Sequence, residues 1–433
     1  MSDFFTFPDL PALAPATRVC IAYSGGLDST VLLHRLAKLR VPGLRALHVH
    51  HGLQALADDW QTHCLAQCSA LGVELEVLHV AVNPAHADGP EAAAREVRYA
   101  ALRASLHPGD LLVTAHHQDD QAETVLLRLL RGTGVSGLAA MRPLAEFAPG
   151  RLWRPLLKVP RDALFKYAQW HRLGWIEDPH NREPRYARSW LRAEILPRLR
   201  TRWPQAGAQL AQAAAHCGEA VELLDELAAG DLLKAAHAEA LSVAALLDLR
   251  PVRRRNLLRY WLRQRGFQAP GADALERLQR EVLRADEDAQ PLLHCGDYEL
   301  RRYRDDLHAM TPLPPPPAGV ELQWNGLGAL RLPPGCGSLV FGAASALPFL
   351  LAVRFAQGGE RIKPAGSAHT RSLKNLFQEA AVPPWIRVRT PLLYRGHELL
   401  AVGDFWCTAA WQALCAQSGF RQCWQPEETG SAD

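Results

Sequence analysis

Between residues 17 and 140 the apolar positions alternate between two spacings. Runs at 19–23, 45–50, 73–82 and 111–115 are short and largely apolar, the pattern of strands buried on both faces. Between them, 30–36, 55–71, 91–106 and 121–130 carry apolar residues at helical spacing. Strands alternating with helices predict an α/β doubly wound parallel sheet. Such sheets bind ligands beyond the carboxyl ends of their strands. The polar stretches that follow strands, 24–29, 48–53 and 116–120, are therefore predicted to gather at one edge.

Downstream the pattern changes. Residues 151–203 are rich in arginine and tryptophan, whereas 205–284 are rich in alanine and leucine and helical in period. Residues 297–304 alternate as a strand. The run Pro312-Leu-Pro-Pro-Pro-Pro317 fits neither a helix interior nor a central strand and reads as a linker. Beyond it, glycine and proline punctuate short strand-like runs around one helix at 370–380. The expected organisation is a catalytic α/β domain over 1–204, a helical middle domain over 205–311 and a small α+β domain over 312–433.

The stretch Ser24-Gly-Gly-Leu-Asp-Ser29 lies directly between a strand and a helix. Gly25 and Gly26 let the backbone turn sharply and approach a ligand that a Cβ would obstruct. The amides freed at the following helix start, together with the hydroxyls of Ser24 and Ser29, form a cradle for an anion. Asp28 would repel a phosphate in that cradle unless a cation lay between them, so the arrangement implies a polyphosphate with Mg²⁺. The Gly-Lys-Ser/Thr ending of a Walker loop is absent. The stretch resembles instead the pyrophosphatase loop of enzymes that split ATP between its α and β phosphates.

That chemistry needs further metal ligands and cations. His116-His-Gln-Asp-Asp120 offers Asp119 and Asp120 at the same edge, either of which would complete a Mg²⁺ site with Asp28. An aspartate here can also simply cap the following helix. Arg95 and Arg98 lie on neighbouring turns of one helix and suit the charge that develops as pyrophosphate departs. His50 and His51 read more readily as structural.

Composition narrows the class. With 48% hydrophobic and 21% charged residues the 433-residue chain is an ordinary globular protein, and its net charge of +3 requires any nucleic-acid footprint to be local. Nine cysteines without a CxxC pair fit reduced thiols rather than zinc or disulfides. No signal peptide is legible, and the longest mostly apolar stretch, 339–353, contains Gly342 and Pro348 and is short for a membrane span. A cytoplasmic protein with no membrane partner is expected.

Several motifs follow the loop in order: His48-Val-His-His-Gly-Leu53, Ala94-Arg-Glu-Val-Arg-Tyr99, His116-His-Gln-Asp-Asp-Gln-Ala-Glu-Thr124 and Leu127-Arg-Leu-Leu-Arg-Gly-Thr-Gly134. Arg154-Pro-Leu-Leu157, Trp175-Ile-Glu-Asp178, Asn181, Tyr186-Ala-Arg188 and Leu191-Arg192 extend the series, as do Gly358 to Gly366, His369 to Lys374 and Pro383-Pro-Trp385. Together they resemble the bacterial tRNA(Ile)-lysidine synthetase family in its long form. One departure is Arg188-Ser189, where the family usually has Arg-Asn.

The resemblance implies an ATP pyrophosphatase that adenylates C2 of the wobble cytidine of a CAU-anticodon isoleucine tRNA and lets the ε-amine of free L-lysine displace AMP. It implies ATP and Mg²⁺ as cofactors. Ser24 to Ser29 and His116 would bind the nucleotide, Asp28, Asp119 and Asp120 the metal, and Arg95 or Arg98 the phosphates. Arg185, Arg188, Arg192, Arg198 and Arg202, interleaved with Tyr186, Trp190 and Trp203, form the expected RNA surface, and Arg361, Lys363, Arg371 and Lys374 a second one. Oligomeric state is left open, a homodimer being among the expected forms. The rival readings are a thiolase-type tRNA-modifying enzyme on the same loop, or a non-catalytic RNA-binding protein on a nucleotide-binding fold. Thiolases generally need cysteine pairs that this chain lacks, and intact acids at 28, 119 and 120 oppose the second.

Overall fold

The computed structural model describes residues 4–14, 17–50, 57–81, 90–177, 187–286, 289–341, 346–418 and 422–427. The chain divides into two compact units, Met1–Leu223 and Leu224–Asp433. In the first, β1 (Val19–Ala22), β2 (Leu44–His50), β3 (Glu74–His79), β4 (Leu111–Val113), β5 (Leu144–Phe147) and β6 (Gly150–Trp153) form one sheet in the order β3-β2-β1-β4-β6-β5. All pairs are parallel except β5 with β6. Helices α1 (Leu27–Lys38), α2 (Ala57–Leu71), α3 (Pro90–Ser105), α4 (Gln118–Leu130), a short α5 (Val135–Leu138) and α6 (Arg161–Trp170) accompany it.

Alternation along β1 explains why the strand is apolar throughout. Val19, Ile21 and Tyr23 enter a core with Val31, Leu32 and Leu36 of α1, Cys64 and Cys68 of α2, and Leu164 and Tyr167 of α6. Cys20 turns to the opposite face, where it meets Leu47, Leu112, Leu152 and Leu102 of α3. Covering both faces removes the polar side an exposed sheet would show. The crossover through α1 carries the chain from β1 to β2, and the one through α3 returns it to β4 on the other flank of β1. The direction of winding therefore reverses between β1 and β4, where a doubly wound sheet opens its ligand crevice.

The β5–β6 hairpin was not expected as strand. Its residues include Glu146 on the edge strand β5, Pro149 in the turn and Arg151 on β6, which together leave no apolar run. Helix α4 begins at Gln118 rather than 121, for a reason given below. After it the first unit continues through α7 (Ala187–Trp190), one wide turn at Leu191–Ile195, α8 (Leu196–Arg202) and α9 (Ala206–Ala235), inside which the division between units falls.

The second unit departs from a purely helical middle. A five-stranded antiparallel sheet, built from Ala236–His237, Ala240–Ser242, Asp306–Met310, Tyr298–Tyr303 and Leu292–Cys295, packs Leu241, Leu293 and Leu300 against Leu257, Trp261 and Leu278 of the neighbouring helices. Only its longest strand, Tyr298–Tyr303, has enough residues to alternate legibly. Among the described residues beyond 320 come three further antiparallel sheets, of five, three and two strands, and the helix Leu373–Glu379, capped by the Ser372 hydroxyl. This helix starts later than 370 because Arg371–Ser372 pairs with Arg361–Ile362. No helix among the described residues is long and apolar enough to cross a membrane.

Two glycines test the packing argument in opposite directions. A Cβ on Gly150 would lie 2.3 Å from the Asp110 carbonyl oxygen, which accepts from Arg151 N at 2.9 Å where β6 joins β4. Gly150→Ala is expected to destabilise the protein by about 2 kcal/mol through forced displacement of backbone. Gly230 lies exposed in α9 with nothing within 4 Å of an added Cβ, so Gly230→Ala is expected to stabilise by about 0.5–1 kcal/mol. Urea denaturation of both variants checks the two signs.

Candidate active site

The turn after β1 is fixed by what surrounds it. Gly25 has φ +77°, and a Cβ there would lie 2.6 Å from Ile176 Cδ1 and 2.9 Å from Cys64 Sγ. Ile176 N donates to Gly25 O at 2.9 Å, so the 175–177 segment clamps the loop. The Ser24 and Ser29 hydroxyls lie 3.1 Å apart, and Ser29 Oγ donates to Gly26 O at 3.0 Å. Gly26 occupies the N-cap of α1 and offers no side-chain acceptor. The first-turn amides from Leu27 onward are thus left to an anion, with the helix dipole behind them.

Asp28 stands in the first turn of α1. Its Oδ1 is buried without a hydrogen-bond partner, with Arg161 Nε at 3.8 Å. A buried carboxylate oxygen without a donor is costly and marks a place for a cation.

Across the crevice, His117 does two jobs. It caps α4: its Nδ1 accepts from Asp119 N at 3.2 Å and Asp120 N at 3.5 Å, while its own main-chain N donates to Asp120 Oδ2 at 3.0 Å. With Nδ1 accepting, the ring hydrogen sits on Nε2, which faces Asp28 Oδ2 at 3.5 Å and Asp120 Oδ2 at 3.4 Å. Burial alone would lower this histidine's pKa, but Asp120 and Asp28 outweigh it and raise it. One imidazole therefore ties the loop after β1 to the helix after β4. Histidine is not a usual N-cap residue, which is why the helix start was set too late from sequence and His117 was overlooked.

Asp120 is both cap and acid. Burial favours its protonated form, yet His117, His116 and Arg192 hold its pKa below the ordinary value. Arg192 Nη2 donates to Asp120 Oδ1 at 3.0 Å, and the same guanidinium grips the fully buried Glu123 at 2.7 and 3.0 Å. Burial raises the Glu123 pKa despite this pair. Asp119 is held by Arg200 Nη2 at 2.9 Å. His116 Nδ1 contacts Thr114 Oγ1 at 2.8 Å, and burial drives its pKa far down, so the ring stays neutral. Arg95 is exposed on α3 and stacks over Tyr99 at 5.0 Å; Arg98, on the same helix, is exposed as well.

The arginines expected to face RNA divide. Arg192 turns onto the acids, and Arg188 donates to Thr124 Oγ1 at 2.8 Å, so both brace α4. Arg198 is exposed and paired only along its own helix with Glu194 at 3.0 Å. Arg202 is exposed beside the half-exposed Trp203. Arg185, with His51, Asn181 and Tyr186, lies outside the described residues. In the second unit Arg361 donates to Thr370 O at 3.2 Å, Arg371 pairs with Glu379, and Lys363 and Lys374 are exposed. Glu123 and Arg161 were not singled out from sequence. Glu123 shares the first turns of α4 with Asp119 and Asp120, whereas only the tertiary fold brings Arg161 to Asp28.

Among the described residues no three potential ligands form a ready-made metal cage. The donors nevertheless suit Mg²⁺, which takes one or two carboxylates and completes its shell with phosphate oxygens and water. Asp28, whose Oδ1 has no hydrogen-bond partner, would be the first such ligand, and Asp120 or Asp119 the second.

Comparison with known proteins agrees with this geometry. The PP-loop domain family matches residues 6–199, the TilS substrate binding domain 241–308 and the TilS substrate C-terminal domain 351–424. A tRNA(Ile)-lysidine synthase of Alkalilimnicola ehrlichii is 44% identical over 431 residues, covering 95% of this chain and 96% of its own. Those of Xanthomonas campestris pv. campestris and Pseudomonas putida are 45% and 46% identical, covering 91% and 89% of this chain and 92% and 91% of theirs. Among solved structures, the U34-tRNA thiolase NcsA from Methanococcus maripaludis with its [4Fe-4S] cluster aligns at 20% identity with a TM-score of 0.39, over 47% of this chain and 72% of that chain. With a glycine-turned phosphate cradle facing paired acids, and end-to-end likeness to these relatives, the chain belongs to the tRNA(Ile)-lysidine synthase family.

Proposed function

We propose that this protein joins free L-lysine to C2 of the wobble cytidine of a CAU-anticodon isoleucine tRNA, splitting ATP into AMP and pyrophosphate and changing the codon read from AUG to AUA. The observation that carries this reading is the unpartnered, buried Asp28 Oδ1 at the mouth of a glycine-turned helix start. A nucleotide tail with its cation fits that pairing of open helix-start amides with a carboxylate oxygen that no hydrogen bond satisfies.

The cytidine O2 attacks the α-phosphorus, an O–P bond forms, and the bond to pyrophosphate breaks. The lysine amine, in its uncharged form, then attacks C2. A C–N bond forms, the C2–O bond breaks, and AMP leaves with that oxygen. Adenylation turns a poor leaving group into a good one. The Ser24–Ser29 loop holds the departing pyrophosphate through amides and hydroxyls already in place, so little reorganisation accompanies the charge. Asp28 with Asp120 or Asp119 would hold Mg²⁺, which supplies charge neutralisation on the phosphates. His117 keeps the two carboxylates in register, and Arg192 keeps Asp120 ionised. Neutral His116 contacts the nucleotide, and Arg95 and Arg98 face its phosphates. RNA contacts fall to Arg198, Arg202 and Arg185 in the catalytic domain (1–204), and to Arg361, Lys363, Arg371 and Lys374 in the C-terminal one (312–433), with 205–311 between them. Arg188 and Arg192 brace α4 first, through Thr124 and through the acids Asp120 and Glu123. The reaction is cytoplasmic, where its tRNA is.

Asp28→Asn is predicted to cut AMP and pyrophosphate release in the presence of tRNA, lysine, ATP and Mg²⁺ by at least about a hundredfold. Filter-binding affinity for the tRNA should change less than about twofold. A collapse of tRNA affinity would contradict the metal role.

Arg192→Ala leaves a fully buried Glu123 without its counterion and is predicted to destabilise by about 2 kcal/mol, a figure reduced for the partial exposure of Arg192. The double variant Arg198→Ala/Arg202→Ala should be as stable as wild type but flatten the salt dependence of tRNA binding by about one to two units of slope. Thermal melting and binding at several salt concentrations separate the two groups of arginines.

A further inference from the structure

A cavity of about 590 Å³ opens beside the acids, within the first unit, and no step above uses it. Its wall includes Gln118 and Asp119 at the start of α4, Arg161 and Phe165 on α6, Arg200 on α8, and Gln205. Arg161 connects it to the loop, since the same guanidinium lies 3.8 Å from Asp28 Oδ1.

The charge of this wall is already arranged. Asp119 is paired with Arg200 at 2.9 Å, and Asp162, which also lines the cavity, with Lys166 at 2.6 Å. A ligand's ammonium group would have to displace a basic side chain from either acid. Arg161, by contrast, has only the distant Asp28 oxygen and is half exposed. The wall therefore favours an anion over a cation. Phe165 supplies an aromatic surface: its ring is set edge-on against Trp175 at 5.9 Å yet remains 39% exposed. Gln118 gives an amide hydrogen to the Lys158 carbonyl at 3.3 Å, which orients its side chain. The volume lies within the usual ligand range of roughly 300–1,000 Å³ and exceeds what a free amino acid fills. A flat ring, a pair of amides and a cation for one phosphate are what an unstacked nucleotide needs.

We propose that this cavity receives the target nucleotide of the tRNA, its base stacked on Phe165, its edge read by the amides of Gln118 and Gln205, and an adjoining backbone phosphate drawn to Arg161. The inference rests on the function proposed above and assigns that function's base to a place. From there the base reaches the catalytic loop past Arg161. A loop nucleotide has no pairing partner, so withdrawing it from its neighbours costs little.

The test uses the full-length protein and an isoleucine tRNA transcript with 5-iodocytidine at the wobble position. Irradiation is expected to crosslink the base to the peptide containing Phe165, mapped by mass spectrometry. In steady state, Phe165→Ala should raise KM for tRNA about tenfold while KM for ATP and for lysine stay within twofold, and Phe165→Trp should restore most of the loss. Phe165 is partly exposed, and melting temperature checks that the alanine variant folds. A crosslink confined to other peptides, or an effect of Phe165→Ala on KM for lysine instead of tRNA, overturns the assignment. Lysine-dependent AMP release by the wild-type protein, measured in the same mixture, separates the two levels: present with a crosslink elsewhere, only the cavity is misassigned; absent, the proposed function falls and the cavity with it.

Discussion

One imidazole holds the two halves of the crevice in register. His117 spends Nδ1 on the amides that open α4 and turns Nε2 toward Asp28 and Asp120. Because β1 and β4 are adjacent and parallel, their carboxyl ends emerge side by side, and a single ring can reach both carboxylates. Sheet topology thus places the acids, and the cap sets their spacing. An acid pair sharing one imidazole N–H leaves Asp28 Oδ1 without a hydrogen-bond donor.

Charge balance explains the arginine-rich segment better than surface exposure does. Asp119, Asp120 and Glu123 crowd the first turns of α4, where the helix dipole helps but cannot satisfy three carboxylates in a partly buried site. The polypeptide from Ala187 to Arg202 returns across this face and supplies Arg192 and Arg200. Those arginines are structural counterions on one side while the same segment displays Arg198 and Arg202 on the other. A helix passing over an acidic site can serve both ends because residues four apart share a face and intervening ones do not.

Legibility in the sequence followed burial. Strands covered on both faces, such as 19–22 and 111–113, read clearly because no polar alternation interrupts them. The β5–β6 hairpin and the short strands of the second unit did not, since the hairpin mixes glutamate, proline and arginine with its apolar residues and most of those strands are too short to show a period. The glycine turn and the acids at 28, 119 and 120 were legible because a phosphate cradle with a cation would call for those residue types at those positions. Their partners were not. Nothing local in Arg192 says that it will meet Glu123 across 69 residues, and a histidine cap carries no familiar signature. The expected RNA surface illustrates the same limit, for composition counts arginines but only tertiary structure decides which ones solvent sees.

The central claim is that the bend between β1 and α1 grips the tail of ATP through a cation on Asp28. Crystals of the protein grown with Mg²⁺ and an α,β-methylene analogue of ATP test it most directly. The account predicts electron density for the β and γ phosphates against the amides of Leu27, Asp28 and Ser29, with a metal ion bonded to Asp28 Oδ1. A triphosphate bound away from that bend, or a metal ion that leaves Asp28 untouched, would contradict it.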